Sequence, residues 1–288
     1  MKKPIVAIMY DFDKTLCTKD MQEYAFIPAL GMTSGAFWGE VNAMTDREEM
    51  DNILAYMFKM VEKARDKKIQ VTLDTFRDMG QAVKYFNGVT TWFDRINAYG
   101  REAGVRVEHY IVSSGIKEII EGTEIAPHFK KIYACEFLYD YNGSIQWPKF
   151  AVNYTAKTQF LFRINKGILK IDSTSAEKLN RFTPENERPV PFRNMIYIGD
   201  SDTDIPCMKL VNSYGGYSIG VYNAETNDRT KVHKMMRDNR IKYFASADYR
   251  DGSEMDQLVK GILDRTAANE KLESIYYRNL KESSPNDC

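Results

Sequence analysis

The chain has 288 residues, of which 43% are hydrophobic, and this is enough for one large or two modest globular domains. Its 40 basic residues balance its 40 acidic residues, so no net positive charge favours binding to nucleic acid or to an anionic membrane. No apolar run approaches the roughly 20 residues that span a bilayer, and the N-terminal residues lack the pattern of a secretory signal. The four cysteines have no CxxC spacing, which is typical of reduced thiols. We therefore expect a cytoplasmic protein that binds neither nucleic acid nor membranes.

The first apolar run is followed directly by two aspartates. Residues 5–10 are short, apolar and partly β-branched, which predicts a strand of a parallel sheet with both faces buried. Ligand sites of open α/β sheets lie beyond the carboxyl ends of the strands, where Asp11 and Asp13 would emerge. Two carboxylates at this spacing repel each other, and a purely structural role does not explain why both are present. The pattern indicates a metal-assisted nucleophile with an acid/base partner.

Residues 17–87 have the periodicity of helices rather than of strands. Two stretches have the form of a capping box, in which the first and fourth residues satisfy each other's backbone N–H groups at a helix start. Three helices are predicted: from residues 20–23 to Gly31, from residues 45–48 through Val61, and from Thr72 to about Phe86. The segment lies between the first strand and the turn Asn87-Gly88. We therefore predict a small all-helical domain, residues 17–87, inserted after the first strand.

Helices and strands alternate again from Val89 onward. The predicted strands lie at 109–112, 131–136, 195–198, 215–221 and near 243–244, with a hairpin turn at Asn142-Gly143. The predicted helices lie at 91–103, from 116, from 157 and from 253 to about 265, and residues 171–193 are predicted to be a long loop. The alternation predicts an α/β fold with a Rossmann-like parallel sheet flanked by helices. This core would comprise residues 1–16 and 88–270, followed by a C-terminal extension (271–288) with a frayed end.

Hydroxyl, carboxylate and ammonium groups recur at the predicted strand ends and at one helix start. They are Asp11, Asp13, Ser113, Asp200 and Asp204, with Lys157 at the helix. Right-handed βαβ winding would bring them to one edge of the sheet. Two carboxylates about 4 Å apart repel by about 4 kcal/mol at an effective dielectric constant near 20, so either some of them are protonated or a divalent cation lies among them. Ligands that are all oxygen favour Mg²⁺ over Zn²⁺.

Four motifs in this order resemble the haloacid dehalogenase-like (HAD) hydrolase superfamily. They are Asp11-Phe12-Asp13-Lys14-Thr15 in the DxDxT form, the strand-end Ser113, Lys157, and Gly199-Asp200-Ser201-Asp202-Thr203-Asp204 in the GDxxxD form. The helical insertion resembles the C1 cap of that superfamily, and the stretch from Ser113 to Lys157 is similar to its phosphoserine phosphatase branch. The resemblance covers nearly the whole chain, and four ordered motifs are far more specific than DxD alone.

The resemblance implies a Mg²⁺-dependent phosphatase that hydrolyses a small phosphorylated metabolite. Asp11 would attack phosphorus and form an aspartyl-phosphate, and Asp13 would act first as general acid and then as general base. It also implies that magnesium is held by the carboxylates of Asp11 and Asp200 and by the backbone carbonyl of Asp13. Phosphate would be bound by Ser113, Ser114 and Lys157. Asp204 would orient Lys157 or a metal-bound water.

Several residues have two interpretations. Lys149 and Lys166 compete with Lys157, but the first follows a proline in a loop and the second lies too deep in its helix. Asp20 stands where phosphoserine phosphatases carry a substrate-binding glutamate, and its capping-box context also explains it without a ligand. Four aromatic residues of the insertion would either pack its helices or form a substrate wall: Tyr24, Phe26, Phe37 and Trp38.

Other functions are compatible with parts of the pattern. A phosphomutase would use the same aspartyl-phosphate chemistry, and a non-catalytic binding module of the same fold is the second alternative. A true dehalogenase is disfavoured because such enzymes lack the acid at the position of Asp13. A P-type pump does not fit, because Leu16-Cys17 replace the Gly-Thr of its motif and no membrane segment is present. We expect the cap to close over the site by hinges near Leu16-Cys17 and Asn87-Gly88, and the oligomeric state is not predicted.

Overall fold

The computed structural model describes residues 3–283, and its centre is a seven-stranded sheet. The strands are β1 (Ile5–Tyr10), β2 (Arg106–Ile116), β3 (Phe129–Tyr139), β4 (Ile145–Phe150), β5 (Met195–Gly199), β6 (Tyr217–Tyr222) and β7 (Tyr243–Ser246). Their order across the sheet is β4-β3-β2-β1-β5-β6-β7. All neighbours pair in parallel except β3 and β4, which form the predicted antiparallel hairpin. The predicted α/β fold is confirmed.

Helices flank this sheet along the whole chain. They are α1 (Phe26–Ala29), α2 (Ser34–Glu48), α3 (Asn52–Asp66), α4 (Leu73–Gly80), α5 (Val89–Ala103), α6 (Lys117–Glu121), α7 (Tyr154–Lys166), α8 (Ser175–Asn180), α9 (Ile205–Ser213), α10 (Thr230–Arg237) and α11 (Glu254–Ser283). In the core, α5 packs with α11 and α7 packs with α9. All six residues of β1 are buried, and its neighbours are β2 and β5. The strand order therefore reverses at β1, which leaves a crevice at the carboxyl ends of these strands.

The two predicted capping boxes do not start helices. Residues 45–48 form the end of α2, which stops where Glu49 adopts a left-handed conformation (φ 50°). The long amphipathic helix begins later, because the side chain of Asp51 caps α3 by accepting two N–H groups of its first turn. Asp20 precedes a single 3₁₀ turn (Met21–Glu23) and makes no capping hydrogen bond. Both predicted starts were wrong because the same polar residues also suit helix ends and loops.

Other element boundaries depend on contacts that a sequence pattern does not show. The predicted third helix ends early, at Gly80, where α4 packs so closely on α6 that a side chain would clash with the α6 backbone. Beyond it, Tyr85 pairs in an isolated β-bridge. The predicted loop 171–193 contains α8, and α9 and α10 were not predicted. Finally, α11 continues to Ser283, well beyond the predicted end.

The helices α1–α4 occupy the segment predicted to be a cap, residues 17–87. Away from its ends, this segment contacts the core where α3 packs on β4 and where α4 packs on α6. At the hairpin, the N–H of Ile145 donates to the carbonyl of Val71 (2.9 Å), and Thr72 forms a β-bridge with Ser144. The division of the chain into a core and a separate cap domain stays a prediction.

The described residues also bear on the expectations from composition. Cys17, Cys135 and Cys207 are buried and form no disulfide. The frayed end was predicted from Glu282 onward, but residues 282 and 283 belong to α11, and residues 284–288, which include Cys288, lie outside the described residues. No helix within residues 3–283 is both long enough and apolar enough to cross a membrane.

Candidate active site

The acidic strand ends meet at the crevice beside β1. Asp11 directly follows β1 and donates its backbone N–H to a carbonyl of β5 (2.9 Å), and Asp200 directly follows β5. One carboxylate oxygen from each of Asp11, Asp200 and Asp204 lies within 4.8 Å of the other two. The crevice opens into a cavity of about 360 Å³ whose wall also includes Asp13 and Ser113. The structure therefore brings the strand-end residues together at one site.

Lys157 is the lysine that reaches these carboxylates. Its side chain is fully buried, and its Nζ lies 2.7 Å from Oδ1 of Asp204 and 3.4 Å from Oδ1 of Asp11. Burial alone would lower the pKa of an ammonium group, but the two carboxylates raise the pKa of Lys157 above its ordinary value, so it stays charged. The two competing lysines bind elsewhere. Lys149 forms an ion pair with a glutamate of β3 (2.9 Å). Lys166 donates to two backbone carbonyls, one near the end of α8 and one directly after it.

Asp204 has its acceptor positions occupied by the protein itself. Its Oδ1 accepts the hydroxyl of Tyr197 (2.8 Å) in addition to the ammonium of Lys157, and its Oδ2 accepts the backbone N–H (3.1 Å) and the hydroxyl (2.9 Å) of Ser201. A Cβ at Gly199 would lie 2.6 Å from the carboxyl carbon of Asp204, so the first position of this loop has to be glycine. Since a carboxylate offers about four acceptor positions, this arrangement suits a residue that orients Lys157 rather than a metal ligand.

Asp200 differs from Asp204, because its carboxylate accepts no hydrogen bond in the part of the chain that the structure describes. Burial, followed by repulsion from Asp11 and Asp204, raises the pKa of Asp200 to about 8. Burial and the charge of Asp204 also raise the pKa of Asp11 to about 6, although Lys157 and hydrogen bonds act in the opposite direction. A hard divalent cation between Asp11 and Asp200 would stabilise both ionised carboxylates, and oxygen atoms are the ligands that it prefers. The residues present therefore fit such a cation.

Asp13 lies where the sheet edge meets the helical insertion. Its Oδ1 accepts the N–H of Met21 (2.8 Å). Burial, followed by the negative charges of Asp20 and Asp11, raises the pKa of Asp13 well above its ordinary value. A raised pKa favours the protonated form of a carboxyl group, which is the form that a general acid requires. Gly115 is needed beside it, because a Cβ there would clash with the side chain of Met21 and lie 3.0 Å from Oδ2 of Asp13.

The two serines near the end of β2 are oriented differently. The hydroxyl oxygen of Ser113 is buried and accepts the N–H of Gly115 (3.0 Å), and its hydroxyl lowers the pKa of Asp11 by hydrogen bonding. The hydroxyl of Ser114 donates to the backbone carbonyl of Val152 (2.7 Å). Ser113 is therefore the serine whose hydroxyl lies beside the nucleophile candidate, while the Ser114 hydroxyl is already engaged.

Asp20 lines the cavity as one half of an ion pair. Its Oδ2 lies 2.6 Å from Nζ of Lys14. The interpretation of Asp20 as a helix cap was therefore wrong, and its contact with a substrate stays a prediction. Among the aromatic residues of the insertion, Trp38 lines the cavity, whereas Phe26 and Phe37 are buried and pack edge to face.

Sequence reasoning missed several residues of the cavity wall. They are Gln22, Asn52 and Tyr56 from the insertion and Lys231 from α10. The hydroxyl of Tyr56 donates to the backbone carbonyl of Ser114 (2.6 Å), which ties α3 to the end of β2. The side chain of Asn153 donates to Asp51 (3.0 Å), so the N-caps of α7 and α3 are joined. The amphipathic pattern predicted a helix in this region but did not include Asn52 or Tyr56, and no motif showed which residues face the cavity.

The fold and this edge of the sheet define a Rossmann-like α/β protein with an acidic site at the carboxyl ends of its strands. More narrowly, the chain belongs to the haloacid dehalogenase-like hydrolase family, whose model matches residues 8–209. An uncharacterised protein of Borreliella burgdorferi is 28% identical over an alignment 279 positions long, which covers 88% of this chain and 95% of that protein.

Solved structures of phosphoserine phosphatases share the fold. A substrate-bound phosphoserine phosphatase has a TM-score of 0.54 at 14% identity, over 85% of this chain and 93% of that chain. A phospho-aspartyl intermediate analogue of phosphoserine phosphatase has a TM-score of 0.52 at 13% identity, over 90% of this chain and 99% of that chain. The predicted family is therefore confirmed, together with a fold like that of its phosphoserine phosphatase branch. The roles of individual residues stay predictions.

Proposed function

We propose that this protein is a Mg²⁺-dependent phosphatase that hydrolyses small phosphomonoesters through an aspartyl-phosphate on Asp11. The observation that carries the proposal is the setting of Asp11. Its Oδ1 is held by the N–H of Phe12 (2.8 Å) and by Lys157 (3.4 Å), and the residue lines a cavity together with Asp13 and Asp200. The cavity is thus bordered by a candidate nucleophile and a candidate acid, and the ammonium of Lys157 lies 3.4 Å from the nucleophile's carboxylate.

In the first step, a carboxylate oxygen of Asp11 attacks phosphorus while the bond from phosphorus to the leaving alcohol breaks. Asp13 gives its proton to the leaving oxygen, and such help is typically worth about 10²- to 10⁴-fold. Ser113 and Lys157 bind the phosphoryl oxygens by hydroxyl and ammonium groups, where the charge of the transition state develops. Their fixed positions mean that little reorganisation accompanies the reaction.

In the second step, water attacks the phosphorus of the aspartyl-phosphate. Asp13, which is ionised after the first step, takes a proton from this water, and phosphate leaves as Asp11 is regenerated. Asp204 holds Lys157 in place throughout, because both of its oxygens are fixed by neighbouring groups.

Mg²⁺ would be held by the carboxylates of Asp11 and Asp200 and by the backbone carbonyl of Asp13. When bound, the ion would neutralise negative charge on the phosphoryl oxygens. The proposal is supported by the all-oxygen donor set and by the Asp200 carboxylate, which has no hydrogen-bond donor among residues 3–283. Asp204 would not bind the ion, because both of its carboxylate oxygens already accept hydrogen bonds from the protein.

The size of the site supports a small substrate. The cavity of about 360 Å³ is walled partly by the insertion, so a cap at residues 17–87 would cover a bound metabolite. The packing of α3 on β4 then corresponds to the closed arrangement, in which bulk water is excluded from the reaction. The likeness in fold to a phosphoserine phosphatase studied as a phospho-aspartyl analogue supports the same covalent route.

Release of phosphate from p-nitrophenyl phosphate tests this proposal. We expect activity in Mg²⁺, loss of activity in EDTA, and a decrease of at least about 10⁴-fold in Asp11→Asn. The matched control is Asp202→Asn, an exposed residue of the loop that follows β5, which should retain activity. Activity that survives both EDTA and Asp11→Asn would contradict the proposal. Transfer of the phosphoryl group within a sugar phosphate, without free phosphate, would indicate a phosphomutase, and no reaction on any phosphomonoester would indicate a binding module.

A further inference from the structure

Gln22 is a buried polar side chain that the protein leaves without a hydrogen bond. It is 2% exposed and lines the cavity, and its Oε1 has no donor. Neither amide atom of Gln22 is hydrogen-bonded anywhere within residues 3–283. A buried polar group without a partner lowers stability, and folded proteins rarely keep one without a reason. Because this amide borders a ligand cavity, a ligand is the natural partner.

The position of Gln22 relates it to one part of the substrate. The residue before it, Met21, donates its N–H to Oδ1 of Asp13 (2.8 Å). Under the proposed function, on which this inference rests, Asp13 protonates the oxygen of the leaving alcohol. The leaving alcohol would therefore extend from Asp13 toward the wall that contains Gln22.

The other polar groups on the insertion side of the wall have their donors engaged. The indole N–H of Trp38 donates to a glutamate carboxylate (3.1 Å), and the hydroxyl of Tyr56 donates to the backbone (2.6 Å). The side-chain NH₂ of Asn52 donates to two side chains of α2 (3.3 and 3.4 Å). Gln22 is thus the residue of this part of the wall whose amide has no hydrogen-bond partner within residues 3–283.

The charges of the wall exclude two kinds of leaving group. Within the described structure, the insertion contributes no basic residue to the cavity, and Lys231 lies on the core side next to Asp200. Lys14, the cation next to the insertion, is already paired with Asp20, so a carboxylate on the leaving group would meet no unpaired cation there. Asp20 is already neutralised by Lys14 (2.6 Å), so an ammonium on the leaving group would meet no unpaired carboxylate. This wall suits a neutral polar group.

We infer that Gln22 recognises a hydroxyl group on the leaving alcohol, and that the substrates are phosphomonoesters of neutral hydroxylated alcohols such as polyols and sugars. A hydroxyl group both donates and accepts, so it pairs with either atom of the amide. An ammonium group only donates and a carboxylate only accepts. The amide of Gln22, with neither atom used, matches the hydroxyl best.

The test compares glycerol phosphate, which has hydroxyl groups on the leaving alcohol, with phenyl phosphate, which has none. We expect Gln22→Leu to lower kcat/KM for glycerol phosphate by roughly 5- to 100-fold and to leave kcat/KM for phenyl phosphate nearly unchanged. The matched control is Gln81→Leu, at an exposed glutamine outside the cavity, which should change neither value. The melting temperature of Gln22→Leu should equal or exceed that of the wild type, because the substitution removes an unsatisfied buried amide.

Calorimetric binding of the same two compounds to Asp11→Asn, with and without Gln22→Leu, separates recognition from hydrolysis. If binding of glycerol phosphate depends on Gln22 but neither compound is hydrolysed by the wild type, the inference stands and the proposed phosphatase activity fails. If phenyl phosphate is hydrolysed and Gln22→Leu affects both compounds equally or neither, the inference is overturned and the phosphatase stands. A lower melting temperature for Gln22→Leu, or a wild-type preference for phosphoserine or phosphoethanolamine over glycerol phosphate, would also overturn it.

Discussion

The two sides of the cavity are built in different ways. On the sheet side, Asp204 is fixed by four hydrogen-bonding groups, and Lys157 has no exposed surface. On the insertion side, α3 packs on β4, and one hydrogen bond joins Tyr56 to the backbone of β2 while another joins the N-caps of α7 and α3, Asn153 and Asp51. From this difference we expect that the groups proposed to react are positioned before a substrate arrives, whereas the groups proposed to contact the rest of the substrate gain their partners only when it binds. Substitutions on the two sides should therefore have different effects.

The largest effect is expected for Lys157→Met, on the sheet side. It removes a buried cation from between Asp11 and Asp204 and leaves two uncompensated carboxylates, which typically costs about 3–5 kcal/mol of unfolding free energy. Phosphatase activity should fall by about 10²- to 10³-fold, because the cation proposed to bind the phosphoryl oxygens is lost. Urea denaturation and steady-state kinetics measure the two effects separately.

A double-mutant cycle shows whether the loss of stability in Lys157→Met comes from the ion pair between Lys157 and Asp204. Lys157→Met/Asp204→Asn removes one carboxylate together with the cation, so it should be more stable than Lys157→Met alone while its activity remains low. A double variant that is no more stable than Lys157→Met would show that the ion pair with Asp204 does not fix the sheet side.

The next effect is expected for Gly115→Ala, at the boundary of the two sides. The added Cβ would clash with Met21, whose side chain is flexible, and would lie 3.0 Å from Oδ2 of Asp13. We expect a modest loss of stability and a decrease in kcat of up to roughly 100-fold, since small displacements of a reacting group are costly. The control is Gly261→Ala in α11, where nothing lies within 4 Å of the new Cβ. It should stabilise the helix and leave kcat unchanged; an equal loss of kcat in both variants would contradict the placement of Asp13.

Much of the sheet side could be predicted from the sequence because its signals are local. The composition of residues 5–10 is enough to predict a buried strand. The acidic residues that follow such a strand must emerge at its carboxyl end. Lys157 could be chosen over its rivals because it opens a helix near the sheet edge. The same reasoning predicted the hairpin, since Asn142-Gly143 has the backbone freedom that a tight turn requires (Gly143, φ 77°).

The insertion side could not be predicted in the same way because its signals depend on distant contacts. Residues 45–48 have the form of a helix start, yet they end α2, because the true cap is Asp51. Asp20 has a plausible local partner in sequence, but its actual partner is Lys14. Gln22 belongs to no motif, and its position on the cavity wall follows from a 3₁₀ turn that periodicity does not reveal.

A smaller effect is expected for Tyr56→Phe, on the insertion side. The substitution keeps the ring, which packs edge to face on Trp38 (5.9 Å between centroids), and removes only the hydroxyl that donates to Ser114. One such hydrogen bond is worth about 0.5–1.5 kcal/mol, so kcat/KM should fall about 3- to 10-fold, mainly through a higher KM. The control is Tyr99→Phe, whose hydroxyl donates to Asp264 on the surface. A loss confined to kcat at saturating substrate would show that Tyr56 acts on the sheet side instead.

The smallest effect on activity is expected for Asp256→Asn, at a buried carboxylate outside the cavity. Arg95 (3.1 Å), Lys260 (2.7 Å) and the N–H of Gly252 (3.0 Å) surround it, so the substitution should lower the unfolding free energy by about 1–3 kcal/mol and leave kcat/KM unchanged.

The stability difference between the wild type and Asp256→Asn should also depend on pH. Burial opposes ionisation, but the hydrogen bonds from Lys260, Gly252 and Arg95 lower the pKa of Asp256 below its ordinary value of 3.8. A folded-state pKa below the unfolded-state value stabilises the protein above the unfolded-state pKa, and this contribution is lost as the pH falls through the folded-state pKa. The stability advantage of the wild type over Asp256→Asn should therefore be complete near neutral pH and shrink as the pH falls below 3.8. A loss of activity in Asp256→Asn as large as that in Lys157→Met would contradict the expectation of an unchanged kcat/KM. It would show that activity depends on any buried carboxylate–cation cluster of the core, so that the sheet side of the cavity has no special role.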